Sequence, residues 1–156
     1  MQIVTQEADI PAEAMTALGI SRKVDQLEAN MKTMPPVDCP LNHIFTKGLY
    51  TRTIHMPEGT LIVSKIHKTE HPYFMLQGKA LVWTENQGVV EIAAPFVGVT
   101  QPGTRRVLFI KEASIWCTTH EWLEGETLED IENRIIEKHD LVIEEPKPEE
   151  LADAAA

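Results

Sequence analysis

Between about residues 40 and 120 the chain is built from short runs rich in β-branched and aromatic residues, broken by turn signals every eight to twelve residues. That repeat leaves few architectures open. The runs are "LYTRTI", "TLIVSKI", "YFMLQ", "KALVWTE", "VVEIA", "FVGVT", "RRVLFI" and "SIWCTT", and between them stand "MPEG", "KTEHP", "ENQG", "AAP", "QPG" and "KEA". No helical period interrupts them. A series of short strands without intervening helices predicts an antiparallel sandwich or barrel, not βαβ units.

The flanks have a different period. Up to about residue 35 the sequence reads as helical, with Pro11 opening "AEAMTAL" and Gly19 closing it. Ser21 then caps "RKVDQLEANMKTM", where Val24, Leu27 and Met31 share one face, and Pro35 and Pro36 end the segment. Beyond residue 122, Thr127 and Asp130 form a capping-box pattern ahead of a stripe made by Leu128, Ile131 and Ile135. The expected organisation is a helical arm over 1–39, a barrel over 40–122, a helix with a short extended segment over 123–143 and a flexible acidic tail over 144–156. Apolar stripes on both flanking segments call for a covering partner, so a homodimer or larger assembly is expected.

Charge and cysteine narrow the function classes. Residues 1–120 carry eleven acidic and eleven basic side chains, whereas residues 121–156 carry thirteen acidic against three basic and hold the whole net charge of −10. Such a segment repels phosphates, which argues against nucleic acid and anionic membrane as partners. No apolar run approaches the roughly 20 residues a spanning helix needs. The N-terminus "MQIVTQEADI" has no secretory pattern. Cys39 and Cys117 form no CxxC and suit a reducing compartment, so a cytosolic setting is expected. Cys117, within an apolar run, reads as a small hydrophobe, and Trp83, Trp116 and Trp122 read as core or interface.

The chemistry-bearing stretch is "GTLIVSKIHKTEHPYFMLQG", residues 59–78. Its "HKTEH" spells the H-x-x-E-H pattern of a class of zinc peptidases, which functions only on a helix. Here it follows a strand-like run and meets Pro72, so the helix has no room. Three readings of His67 and His71 stay open: the polar rim of a turn, part of an anion pocket, or a metal site.

The same stretch resembles the first motif of the cupin family, jelly-roll β-barrels. That motif runs glycine, five residues, His-x-His, three or four residues, glutamate, six residues, glycine. Gly59 and Gly78 occupy the glycine positions; Lys65 stands at the first histidine, His67 at the second and His71 at the glutamate. "QPGTRRVLFI" resembles the second motif, with Gly103 matching and Arg106 at the histidine position. The wider pattern, in "CPLNHIFTKGLYTRTIHMPEGT", "HKTEHP", "PGTRR" and "IWCTTHEW", is similar to small cupin-like proteins encoded by tailed bacteriophages and prophages. The resemblance implies an all-β, cupin-like jelly-roll barrel with N-terminal helices and one C-terminal helix.

Three functions follow from this. Loss of the metal-holding side chains at Lys65 and Arg106, together with helical arms, suits a non-catalytic phage-type virion, assembly or accessory protein. Its cofactor would be none, its partners itself and other phage proteins, and its location the bacterial host's cytoplasm or the virion. A second reading makes the cavity a binding site for an anionic small molecule, through Lys65, His67, His71, Tyr73 and Arg106. A third is a metal-dependent enzyme of isomerase or dioxygenase type, in which His67 and His71, joined by His120 or His55, hold zinc, iron or nickel.

Overall fold

A computed structural model describes the backbone of Gln2–Thr5 and residues 21–141, with side chains from residue 23 onward. The helix expected over "AEAMTAL" and the acidic tail over 144–156 lie outside the described residues. Eight strands form the barrel: β1 (Gln2–Thr5), β2 (Leu41–Thr46), β3 (Leu49–Met56), β4 (Thr60–Val63), β5 (His71–Thr84), β6 (Gly88–Ala93), β7 (Phe96–Thr100) and β8 (Val107–Glu121). Two helices flank it, α1 (Ser21–Met31) and α2 (Leu128–Ile135). All strand pairs are antiparallel. Among the described residues no helix is long and apolar enough to cross a membrane.

The two long strands organise the jelly roll. β5 and β8 pair with each other through register shifts between Met75 and Ala80. β5 gives its first half to β7 and its second half to β6, while β8 gives its start to β4 and its end to β3. The sequence separates "YFMLQ" from "KALVWTE" and "RRVLFI" from "SIWCTT". In the structure each pair is one strand bent at a bulge, as closing a sheet on itself requires. Gly78 sits at the bend with φ +91°, and a Cβ there would lie 2.3 Å from Ser114 Oγ, so only glycine fits.

Two strands depart from the expectation. Gln2–Thr5 falls in the segment read as helical, yet it pairs with β4, its β-branched run completing an otherwise open edge. β2, "LNHIFT", forms a hairpin with β3. Its exposed apolar side chains give no clean alternation, which is why the sequence pattern missed it.

Burial follows from the two-sided cover. Ile62, Leu108 and Ile110 face the barrel interior, with Ile54, Met75 and Trp116. Their sequence neighbours Leu61, Val63, Val107 and Phe109 face outward beneath α1, against Val24, Leu27 and Met31. This explains the unbroken apolar runs "TLIV" and "VLFI", since strands buried on both faces need not alternate. Fully burying a residue such as Met31 or Val24 contributes roughly 1.5–3 kcal/mol. The stripe of α2 is buried in the same way, with Ile131 and Ile135 against Tyr50. Val24 and Met31 of one helical stripe and Ile131 and Ile135 of the other are thus covered within one chain, while Leu128 stays 40% exposed.

Candidate metal and anion site

Strand ends and one stitched turn bring the site together. His71 opens β5, and alternation puts His71, Tyr73 and Met75 on the buried face. His120 lies near the end of β8, opposite Tyr50 in the β3 register. His67 belongs to the turn between β4 and β5, which holds no helix. Backbone bonds fix that turn: Gly103 N–H donates to His67 O (2.9 Å), Lys68 N–H to Ile135 O (2.7 Å) and Glu137 N–H to Ile66 O (2.8 Å). A lone bridge joins His67 to Ile136. The C-terminal helix thus clamps the loop that carries His67.

The three imidazoles meet. One ligating nitrogen from each of His67, His71 and His120 lies within 4.8 Å of the others. The ring centroids of His67 and His71 are 4.6 Å apart, those of His71 and His120 4.4 Å. His55, the other candidate for a third imidazole, is exposed on the opposite face of β3.

Electrostatics keeps these rings neutral. Burial, then neighbouring positive charge, holds His67 down to about 4 and His120 to about 3. Burial also lowers His71, with Arg106 acting in the same direction and the Thr69 bond opposing. His71 Nδ1 donates to Thr69 O at 3.0 Å, which leaves Nε2 with its lone pair. His120 Nε2 lies 3.0 Å from Thr118 Oγ1, and its buried Nδ1 has no hydrogen-bond partner. A buried orphan nitrogen costs about 1–3 kcal/mol. Three neutral imidazoles, one oriented through a bonded Nδ1 and one with an unsatisfied Nδ1, match the donor set of a divalent transition metal. Tetrahedral zinc ligands stand about 3.3 Å apart, so shifts of about 1 Å would close the trio.

Arginine supplies the rest of the site. Arg106 lies in line with interior Leu108 and Ile110 and stacks over Tyr73 at 4.7 Å from the ring centroid. Tyr73 lies flat on Trp116, centroids 4.6 Å apart and planes within 2°. Gly98 makes room for this stack, since a Cβ there would sit 2.5 Å from the Tyr73 ring. Arg106 Nη1 donates to the buried Thr100 Oγ1 at 2.9 Å, and burial lowers its pKa. Lys65, by contrast, is at the rim, exposed and 3.9 Å from Glu132. The second cation over the cavity is Arg52, which the sequence reading overlooked. Its signal was parity, because Arg52, Ile54 and Met56 share the interior face of β3. Of the arginine side chains described, Arg105 and Arg134 have carboxylate partners, whereas Arg52 and Arg106 have none.

Two chambers share Arg52, Ser64 and His67 in their walls. The inner one, about 40 Å3, is bounded by His71, Arg106 and Trp116. The outer one, about 190 Å3, reaches from His120 to the underside of α2. Among the described residues, Glu132, at the rim, is the one carboxylate lining either.

Fold and site together define an all-β jelly-roll barrel with a three-histidine cluster. No protein-family model matches the chain, and no curated protein does. Solved structures do. An RmlC-like cupin with a double-stranded β-helix from Methanocaldococcus jannaschii aligns at 10% identity and TM-score 0.45, over 54% of this chain and 80% of its own. A predicted oxalate decarboxylase from Thermotoga maritima aligns at 16% and 0.46, over 56% and 83%. The cupin domain of Schizosaccharomyces pombe Cnp3 aligns at 21% and 0.45, over 62% and 74%. At these values nothing about activity passes from them to this chain, and the barrel stands on its strand register.

Proposed function

We propose that the protein binds a divalent transition metal through His67, His71 and His120 and holds a small organic anion beside it with Arg52 and Arg106. The observation that carries this reading is the convergence of three neutral imidazoles, one of which keeps a buried Nδ1 with no hydrogen-bond partner. Charge supports the anion. Two arginines without carboxylate partners among the described residues face a cavity whose one described acid is at the rim, which favours a negative ligand. Arg106 is held rigid by the Tyr73–Trp116 stack and Thr100, so its fork is set before a ligand arrives.

The bound metal would supply Lewis acidity toward an oxygen of that anion. The chain's own residues bind and orient: arginines fix the charged end, and Ile54, Met56 and Leu108 exclude water from the inner chamber. The phage-type virion or assembly role, and the isomerase or dioxygenase chemistry, rest on the sequence resemblance alone.

Metal titration of the purified chain tests the reading. Zinc is expected to bind at one equivalent, His120→Ala to weaken it about a hundredfold, and His55→Ala to leave it unchanged. Protein that takes up no zinc, iron or nickel would return the cluster to a structural role and the chain to the non-catalytic alternative.

A further inference from the structure

The outer chamber is larger than an anion needs. Its volume of about 190 Å3 compares with a share of about 30 Å3 for one water molecule in the liquid, which leaves space for about six non-hydrogen atoms. Its walls are of two kinds. At one end stand Arg52, Ser64, His67 and His120; at the other are Leu128, Ile131 and Ile135 of α2 with Leu41 of β2. Lys65 and Glu132 pair with each other at the rim. Tyr50, on the wall between, already shares its hydroxyl with His43 Nδ1 at 2.6 Å and offers little to a ligand.

A ligand matching both ends is amphipathic. A sugar acid would set hydroxyl groups against leucine and isoleucine, at a cost for each one unpaired. A dianion of two or three carbons would leave the apolar wall empty, and a long fatty acid exceeds the volume. We infer that the chamber beneath α2 is the specificity pocket of the site and takes a monocarboxylic acid whose carboxylate lies at Arg52, on the wall shared with the Arg106 chamber, and whose apolar body of about four to six carbons fills the outer chamber. This rests on the anion half of the proposed function and does not depend on the metal half.

Calorimetric titration of the full chain with acetate, butyrate, hexanoate and decanoate, with and without zinc, tests it. Affinity should rise from acetate to hexanoate by up to about fourfold per buried methylene, then fall for decanoate. Leu128 is 40% exposed, so Leu128→Trp should fold normally while narrowing the chamber. It should weaken hexanoate at least tenfold and leave acetate unchanged, whereas Leu128→Ala should move the optimum to a longer acid. Equal binding of acetate and hexanoate, equal loss of both in Leu128→Trp, or no binding of any acid would each overturn the inference. Zinc uptake with a flat acid series sinks the chamber and leaves the metal centre standing. A chain-length optimum in protein that takes up no zinc does the reverse.

Discussion

Each imidazole of the cluster, half-buried at His67 and buried at His71 and His120, makes stability depend on pH. Burial, reinforced by the neighbouring rings and arginines, holds His67 at about 4 and His120 at about 3, against an ordinary value near 6.5. Both folded values are depressed, so the unfolded chain takes up protons that the folded chain refuses. No penalty exists above the unfolded value; stability falls as pH drops through 6.5 and goes on falling toward the folded values. The linkage amounts to about 2 kcal/mol for each ring at pH 5. Urea unfolding of metal-free protein should therefore show a loss of a few kcal/mol between pH 8 and pH 5, to which His71 adds in the same direction, and His120→Gln should make that slope shallower. A flat profile would mean that water reaches the rings. Bound zinc should delay the loss, because metal and proton compete for the same lone pairs. The His67–His71 pair was visible in the sequence because its members stand four positions apart. His120 is a site residue only because strands far apart in the chain pair in one register, and spacing carries no trace of that.

Among the elements, α2 controls the site from its far side. Thr127 Oγ1 accepts from Asp130 N–H, and Asp130 returns a bond from Thr127 N–H, completing the expected capping box. Its other end carries the backbone that clamps residues 66–68. Thr127→Ala should cost about 1 kcal/mol. If α2 and its clamp open as one unit, the Lys68 and Glu137 amides should exchange about fivefold faster in hydrogen-exchange measurements, while amides of the β5–β8 ladder stay unchanged. Uniform acceleration would mean that the clamp opens only with the whole barrel. Capping and helix faces were legible because they are local: Ser21, Val24, Leu27 and Met31, like Thr127, Asp130, Ile131 and Ile135, lie within a few turns of one another. The lengths of β5 and β8 were not, since Gly78 reads equally as a turn or as a bulge until the partner strand is known.

Across the molecule, adjacent arginines divide two tasks. Neighbouring residues in extended chain point to opposite faces, so Arg106 turns into the cavity while Arg105 turns outward under α1. There Arg105 donates to Asp25 and Glu28, each at 2.5 Å, and His139 Nε2 lies 2.7 Å from Asp25. One guanidinium thus joins the N-terminal helix, the barrel and the segment after α2. The dipeptide "RR" shows two charges but not which one finds acids, because Asp25 and Glu28 are about eighty residues away. Asp25 is 2% exposed, and removing one partner of a buried pair typically costs 3–5 kcal/mol because the other charge stays behind. Arg105→Met should therefore destabilise the fold by about that much, with Asp25→Leu in the same chain restoring part of the loss. Zinc stoichiometry and hexanoate affinity of the folded fraction should not change, because Arg105 lines neither chamber. Arg106→Met should do the opposite, weakening acid binding severalfold at a smaller cost in unfolding free energy, since it leaves no carboxylate stranded. The two variants, compared by urea unfolding and by calorimetry, separate the outward charge from the inward one. Similar effects of both on acid binding would show that the cavity reads total charge, not the placement of Arg106.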